Sequence, residues 1–201
     1  MASPALLTWD FYRTFRGLKS DSNLETQFNS WNIQVGQAFK AFLRRPILVE
    51  SRVDLLPTRP RKPLYYLEAA PVTTFTSVEY DPSEEFNASG SWGLAQHSEY
   101  VREDKTGRLK LLFQPSPSDQ GLRVTYSGGL VADVATLLTT TDEHHWLAVL
   151  ACQMVQVLQE RRDNPHVESE GVGRNNRSYG GQLGIPDWIA EQLSPLRNPI
   201  L

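Results

Sequence analysis

A chain of 201 residues, 40% hydrophobic and 21% charged, has the make-up of a globular protein of one domain, or of one domain with extended arms. Its net charge of −3, with a sequence pI near 5.8, argues against a protein that grips nucleic acid, which would carry a basic excess or stripe. No run approaches the ~18 apolar residues of a membrane helix, and the first ten residues lack the charged start and long apolar stretch of a signal peptide. The single cysteine, Cys152, allows no internal disulfide. The expectation is a protein that stays where it is synthesised, in a reducing cytosol.

Residues 8–17 read as a short helix that stops at Gly17. A second helix follows over 22–44, where Ser22 and Glu25 stand in capping-box relation. Leu24, Phe28, Trp31, Val35, Ala38, Phe39 and Phe42 recur in it at steps of three and four. It closes on Arg44-Arg45-Pro46, positive charge at the negative end of the helix dipole. Gly36 costs it about 1 kcal/mol relative to alanine, which a close helix crossing would explain.

From residue 47 to 127 the pattern changes to short apolar or alternating runs: Ile47–Leu55, Pro63–Leu67, Val72–Tyr80, Tyr100–Arg102, Leu109–Phe113 and Leu122–Tyr126. Proline, glycine and serine clusters separate them, and Lys105-Thr-Gly107 reads as a hairpin turn. Without crossover helices these strands must be antiparallel. The last of them stops on Ser127-Gly128-Gly129.

The strongest pattern is a helix over 140–163. Thr140 and Glu143 form a capping box, and Trp146, Val149, Leu150, Met154, Val157 and Leu158 make one apolar stripe. Arg161 and Arg162 occupy the last turn and Pro165 stops the helix. Residues 165–184 lack apolar periodicity and should be mobile. A short helix from Pro186 follows, with Trp188, Ile189, Leu193 and Leu196 on one face, and then an apolar tail, Arg197–Leu201. The expected fold class is α+β: two long helices plus short terminal helices, an inserted antiparallel β-module over 47–127, and an extended C-terminal arm. The expected domain covers 1–164, and the arm, short helix and tail cover 165–201.

The order of these elements, together with five stretches, resembles the head–tail connector (adaptor) proteins of tailed double-stranded DNA bacteriophages. The stretches are Asp21-Ser-Asn-Leu…Phe39-Lys-Ala-Phe-Leu-Arg-Arg-Pro46, Tyr66-Leu-Glu-Ala-Ala-Pro-Val…Ser-Val-Glu-Tyr80, Thr106-Gly-Arg-Leu-Lys-Leu111, Val124-Thr-Tyr-Ser-Gly-Gly129 and Glu160-Arg-Arg-Asp163. The likeness spans about residues 20–197. It departs from the family in extra sequence at Asn87–His97 and Pro115–Gln120, and in a linker, Leu130–Thr139, without the family's proline. The resemblance implies a virion protein of the neck, made in the host cytoplasm. It would form a homo-oligomeric ring, usually of twelve subunits, docked on the portal protein and facing a stopper, tail terminator or other tail component. DNA would pass through the lumen without sequence readout. No cofactor, metal or membrane is implied.

Other chemistry is weaker. His144 and His145 in Asp142-Glu-His-His145 are the most tempting metal pair, but adjacent helical positions diverge by about 100°, whereas zinc-binding histidines on helices stand one turn apart. A small hydrolase using them is a third reading. Asp81, Glu84 and Glu85 read as a solvated turn. Gly171-Val-Gly-Arg174 follows a helix and lacks the strand–loop–helix context of a phosphate loop. Cys152 has no activating neighbour. Catalysis is therefore not expected. For assembly, the arm residues Arg174, Arg177, Tyr179 and Trp188 are of interface type, and Ile200 and Leu201 would gain by burial in a neighbour. These six are the candidate contacts to the portal or an adjacent subunit. The alternative is a stopper or tail-completion protein that plugs the channel below the connector, with Asn87–His97 as its movable loop.

Overall fold

The computed structural model describes residues 5–59, 61–81, 92–163, 169–172, 175–178 and 184–197. The chain divides into two compact units. One is Val49–Leu130; the other is built from the chain before and after it.

The second of these is helical. Helix α1 (Trp9–Arg16) starts where Thr8 Oγ1 accepts from the Phe11 amide. It ends on Gly17, whose φ of 64° lets the Leu18 amide reach back to Arg13 O at 2.9 Å. Helix α2 (Ser22–Leu43) is capped by Asp21, not by the expected Ser22–Glu25 box. Asp21 lies in extended backbone, so its carboxylate takes the amides of Asn23 and Leu24 at 2.8 and 3.2 Å. Phe28, Trp31, Val35, Phe39 and Leu43 form its buried stripe, and Gly36 is buried with them. Tyr12 of α1 stacks on Phe28 at 5.0 Å, and Trp9 lies 5.5 Å from the same ring.

The main helix starts later than expected. Residues 134–137 form a short helix of their own, α3 (Val134–Leu137), capped by Asp133 through the Thr136 amide at 2.7 Å and anchored by the fully buried Leu137. Turns follow in which Asp142 Oδ1 accepts from the His144 amide, and helix α4 runs only over His145–Asp163. The Thr140–Glu143 box is therefore absent, because these residues bridge two helices. Nor does α4 bury one stripe. Leu147, Ala148, Leu150, Ala151, Cys152, Met154, Val155 and Val157 are all buried, while Trp146, Val149 and Leu158 are half-buried. A helix apolar on most sides belongs at the centre of its unit, and α4 packs against α2 and α3. Helix α5 (Asp187–Leu193), preceded by Pro186, buries Ile189 and Leu193, and Arg197 beyond it lies over the Phe42 ring at 5.5 Å.

Burial at the heart of α4 pushes the Cys152 thiol up to about 12. The folded protein should not react with a disulfide reagent such as 5,5′-dithiobis(2-nitrobenzoate) at pH 8, whereas in denaturant one thiol per chain should titrate at once. Prompt reaction without denaturant would contradict this packing.

The Val49–Leu130 unit holds strands β1 (Glu50–Thr58), β2 (Leu64–Tyr66), β3 (Val72–Tyr80), β4 (Gly93–Leu94), β5 (Tyr100–Glu103), β6 (Arg108–Leu111) and β7 (Ser118–Gly128). One sheet has the order β1-β7-β3-β4 and the other β2-β6-β5, every pairing antiparallel. The two sheets share one core. Val78, Leu122, Val124 and Tyr126 come from the first, and Tyr65, Tyr100, Leu109 and Leu111 from the second. The Lys105-Thr-Gly107 turn joins β5 to β6, with Gly107 at φ 67°. Strand β4 and the length of β7 exceed the sequence expectation. So does a hairpin of β8 (Ser169–Val172) with β9 (Asn175–Ser178), in a segment expected to be mobile.

Candidate assembly interface

Of the six candidate contact residues, Arg174, Tyr179, Ile200 and Leu201 lie outside the described residues. Arg177 sits in β9 opposite Glu170. Trp188 is half-buried on α5, its indole N–H enclosed and without a hydrogen-bond acceptor among the described residues. The structure does not bring these residues to one described site.

The histidines diverge. His145 Nδ1 lies 3.2 Å from Leu137 O with its ring edge-on to Phe11, whereas His144 lies beside Asp142 and Glu143. Among the described residues no three His, Cys, Asp or Glu side chains are grouped to hold a metal ion. Asp81 corrects the solvated-turn reading: it is 2% exposed, at the end of β3 where its amide donates to Gly121 O. Glu84 and Glu85 lie outside the described residues.

A surface that the sequence reading missed lies on the outer face of the four-stranded sheet. It exists because β1 runs inside out. Hydrophobic alternation would turn Val53 and Leu55 to the core; instead Asp54 is buried, and Val53 and Leu55 are 57% and 45% exposed. The cause is a polar cluster. Asp54 Oδ2 accepts from Tyr126 Oη at 2.6 Å and from the Glu68 amide at 3.1 Å, while Arg52 reaches Asp54 Oδ1 at 3.5 Å and also pairs with Glu68. Tyr126 Oη in turn accepts from the Ala69 amide at 3.0 Å. Burial, together with the bond to Asp54, pushes the Tyr126 phenol well above its ordinary range, so it remains a donor. A one-residue slip of β1 would strand every member of this cluster, which fixes the register.

The register carries its consequence across the sheet. Leu55 pairs with Arg123, Arg123 with Glu79, and Glu79 with Leu94, so these four share the outer face. Arg123 donates its Nε–H to Glu79 Oε2 at 2.6 Å and lies 4.6 Å over the Trp92 ring. Leu94 is 59% exposed. The next row is Val53, Thr125 and Ser77. Arginine and tryptophan are the residue types enriched at the energetic centres of interfaces, and here they stack beside the exposed Leu55 and Leu94. Strand β1 is also the sheet's edge, but Pro57 and the register shift between Leu56 and Thr58 spoil it for strand addition. The surface therefore offers side chains, not backbone. The signal in the sequence was Arg52 and Asp54 alternating inside an apolar strand beside Pro57, an inward-charge device typical of edges.

No protein-family model and no curated protein matches the chain. Solved structures do. A chain from the neck of an empty gene transfer agent (GTA) particle, computed with C6 symmetry, is similar over 100% of this chain and 94% of its own length, with a TM-score of 0.65 and 14% identity. A chain from the neck of the native particle, computed with C12 symmetry, gives 0.57 over 96% and 91%, also at 14% identity. One from the virion of the native gene transfer agent particle gives 0.62 over 96% and 92%, again at 14%. The α+β fold of this chain is thus the fold of a chain found in those neck and virion structures, and the likeness covers both of its units.

Proposed function

We propose that the chain is a non-enzymatic structural protein of the neck of a phage-like particle, a connector subunit that assembles into a ring between head and tail. The observation that carries this reading is the full-length likeness of fold to chains from a phage-like neck, two of them in structures computed with C6 and C12 symmetry. The resemblance of the sequence to head–tail connectors leads to the same role. A ring of about twelve copies would need a heterologous contact that closes on itself, and the outer face around Arg123 is one half of it. The arm residues Arg174, Arg177, Tyr179, Trp188, Ile200 and Leu201 would meet the portal protein or the adjacent subunit. A stopper or tail component would meet the other end. DNA would pass without being held, consistent with the net charge of −3, since a protein that neutralises many phosphates binds DNA strongly. The particle's neck is then the protein's location.

The contact has a direct test. Val53→Lys with Leu55→Lys changes two exposed side chains and should leave thermal unfolding within ~1 kcal/mol of the parent. It should also abolish assembly in a reconstituted neck, as seen by negative-stain microscopy. Rings that form normally from this variant would remove the outer face from the contact.

A further inference from the structure

The pairings bring four strand ends to one end of the four-stranded sheet. Thr58 opposite Ser118, Leu122 opposite Tyr80 and Tyr80 opposite Gly93 place there the exit of β1, the entry of β7, the end of β3 and the start of β4. At this end lies a cavity of about 300 Å³ whose lining joins Arg59, Arg61 and Lys62 to Leu112, Phe113 and Pro115. Its walls are fixed by backbone: the Leu111 amide donates to Pro63 O at 2.9 Å, the Leu112 amide to Glu99 O at 2.7 Å and the Lys62 amide to Arg59 O at 3.2 Å. Phe113 is braced edge-on against Tyr80 at 5.0 Å.

Its chemistry is two-sided. Three cations fall within four positions of a chain whose net charge is negative. Arg59 already holds a carboxylate, that of Asp119, at 2.7 Å. Arg61 and Lys62 are exposed and form no ion pair among the described residues, and Arg61 is kept at φ 62°, a left-handed conformation costly for a side-chain-bearing residue. Beside them Leu112 is 56% exposed. A phosphate backbone would want a basic stripe without a carboxylate in it. A concave site with cations against leucine and phenylalanine instead fits a peptide carboxylate beside a bulky apolar side chain.

We propose that this pocket docks an acidic, apolar-anchored peptide segment of another protein of the neck. The proposal rests on the neck reading for where the partner comes from, but its test requires neither ring nor portal. The probe is a fluorescent form of acetyl-Ser-Glu-Glu-Phe-Asn-amide, which copies residues 83–87 and has the required composition. Anisotropy titration of the full chain at low salt should show saturable binding. Arg61→Glu with Lys62→Glu should weaken it at least tenfold, as should replacing both peptide glutamates by glutamine or its phenylalanine by alanine. A chain carrying Glu84→Gln, Glu85→Gln and Phe86→Ala should bind the probe as the parent does. No saturable binding to either chain, or equal binding of the glutamine peptide, would overturn the proposal. Displacement of the probe by a DNA duplex would make the pocket a phosphate site and overturn it too. Binding only after the triple substitution would show that the chain's own segment holds the pocket, which excludes an outside partner.

Discussion

Gly128→Ala should lower stability by about 3 kcal/mol, roughly 10 °C in the unfolding midpoint of a chain this size. Gly128 sits where β7 pairs with both neighbours, opposite Glu50 on β1 and Val72 on β3. A Cβ there would stand 1.9 Å from Ala69 O and 2.8 Å from Pro71 O. Both obstacles are backbone carbonyls of one segment, so neither can rotate away, and relief means moving β7 off its partners. The control is Gly17→Ala. Gly17 has φ 64° but nothing within 4 Å of its would-be Cβ, so its cost is the left-handed penalty of about 1–2 kcal/mol alone. Equal losses for the two variants in thermal unfolding followed by circular dichroism would mean that the close approach at Gly128 does not exist.

Asn32→Ala should cost about 2–4 kcal/mol, the second large effect. Asn32 is 1% exposed on the buried face of α2. Its Oδ1 accepts from the amides of Leu6 and Leu7 at 3.1 and 3.2 Å, and its Nδ2 donates to Leu7 O at 2.8 Å. One side chain thus replaces the hydrogen bonds that a strand partner would give to the segment before α1. Without it, two donors and one acceptor are left inside the unit, beside the fully buried Leu6. Urea unfolding should show the loss, and hydrogen exchange should show the Leu6 and Leu7 amides opening first. Protection of those two amides unchanged in the variant would contradict the clamp.

The elements that were legible in the sequence are those whose signal is local. Helix α2 is legible from Phe28 to Phe39 because its apolar residues lie on one face, and the alternating run Val72–Tyr80 coincides with β3. Gly17 and the Lys105–Gly107 turn were legible because positive φ selects glycine. The Gly128-Gly129 stop was visible as a motif, but its reason, two carbonyls arriving from Ala69 and Pro71, is a tertiary fact. What misled was periodicity standing in for burial. Helix α4 showed a stripe, yet it is buried on most sides, because Ala148, Ala151 and Cys152 are small enough to lie under neighbours. Capping boxes at 22–25 and 140–143 were plausible in pattern and lost to Asp21 and to an unforeseen helix at Val134–Leu137.

The outer face of the four-stranded sheet was illegible for a sharper reason. Alternation in β1 has two phases, and only Tyr126 and the Glu68 amide, 72 and 14 residues from Asp54, decide between them. The polar half of the strand went inward because its partners were there, and the apolar half was left outside. Asn32 was hidden in the same way: an asparagine in a helix reads as surface unless the segment it binds, 25 residues earlier, is known.

The measurement that tests the neck reading most directly is the solution mass by light scattering, of the chain alone and then mixed with the portal protein of the same particle. The account predicts a stoichiometric complex with about twelve copies of the chain per portal, visible as a ring in negative stain. A chain that stays monomeric and never joins the portal would contradict it.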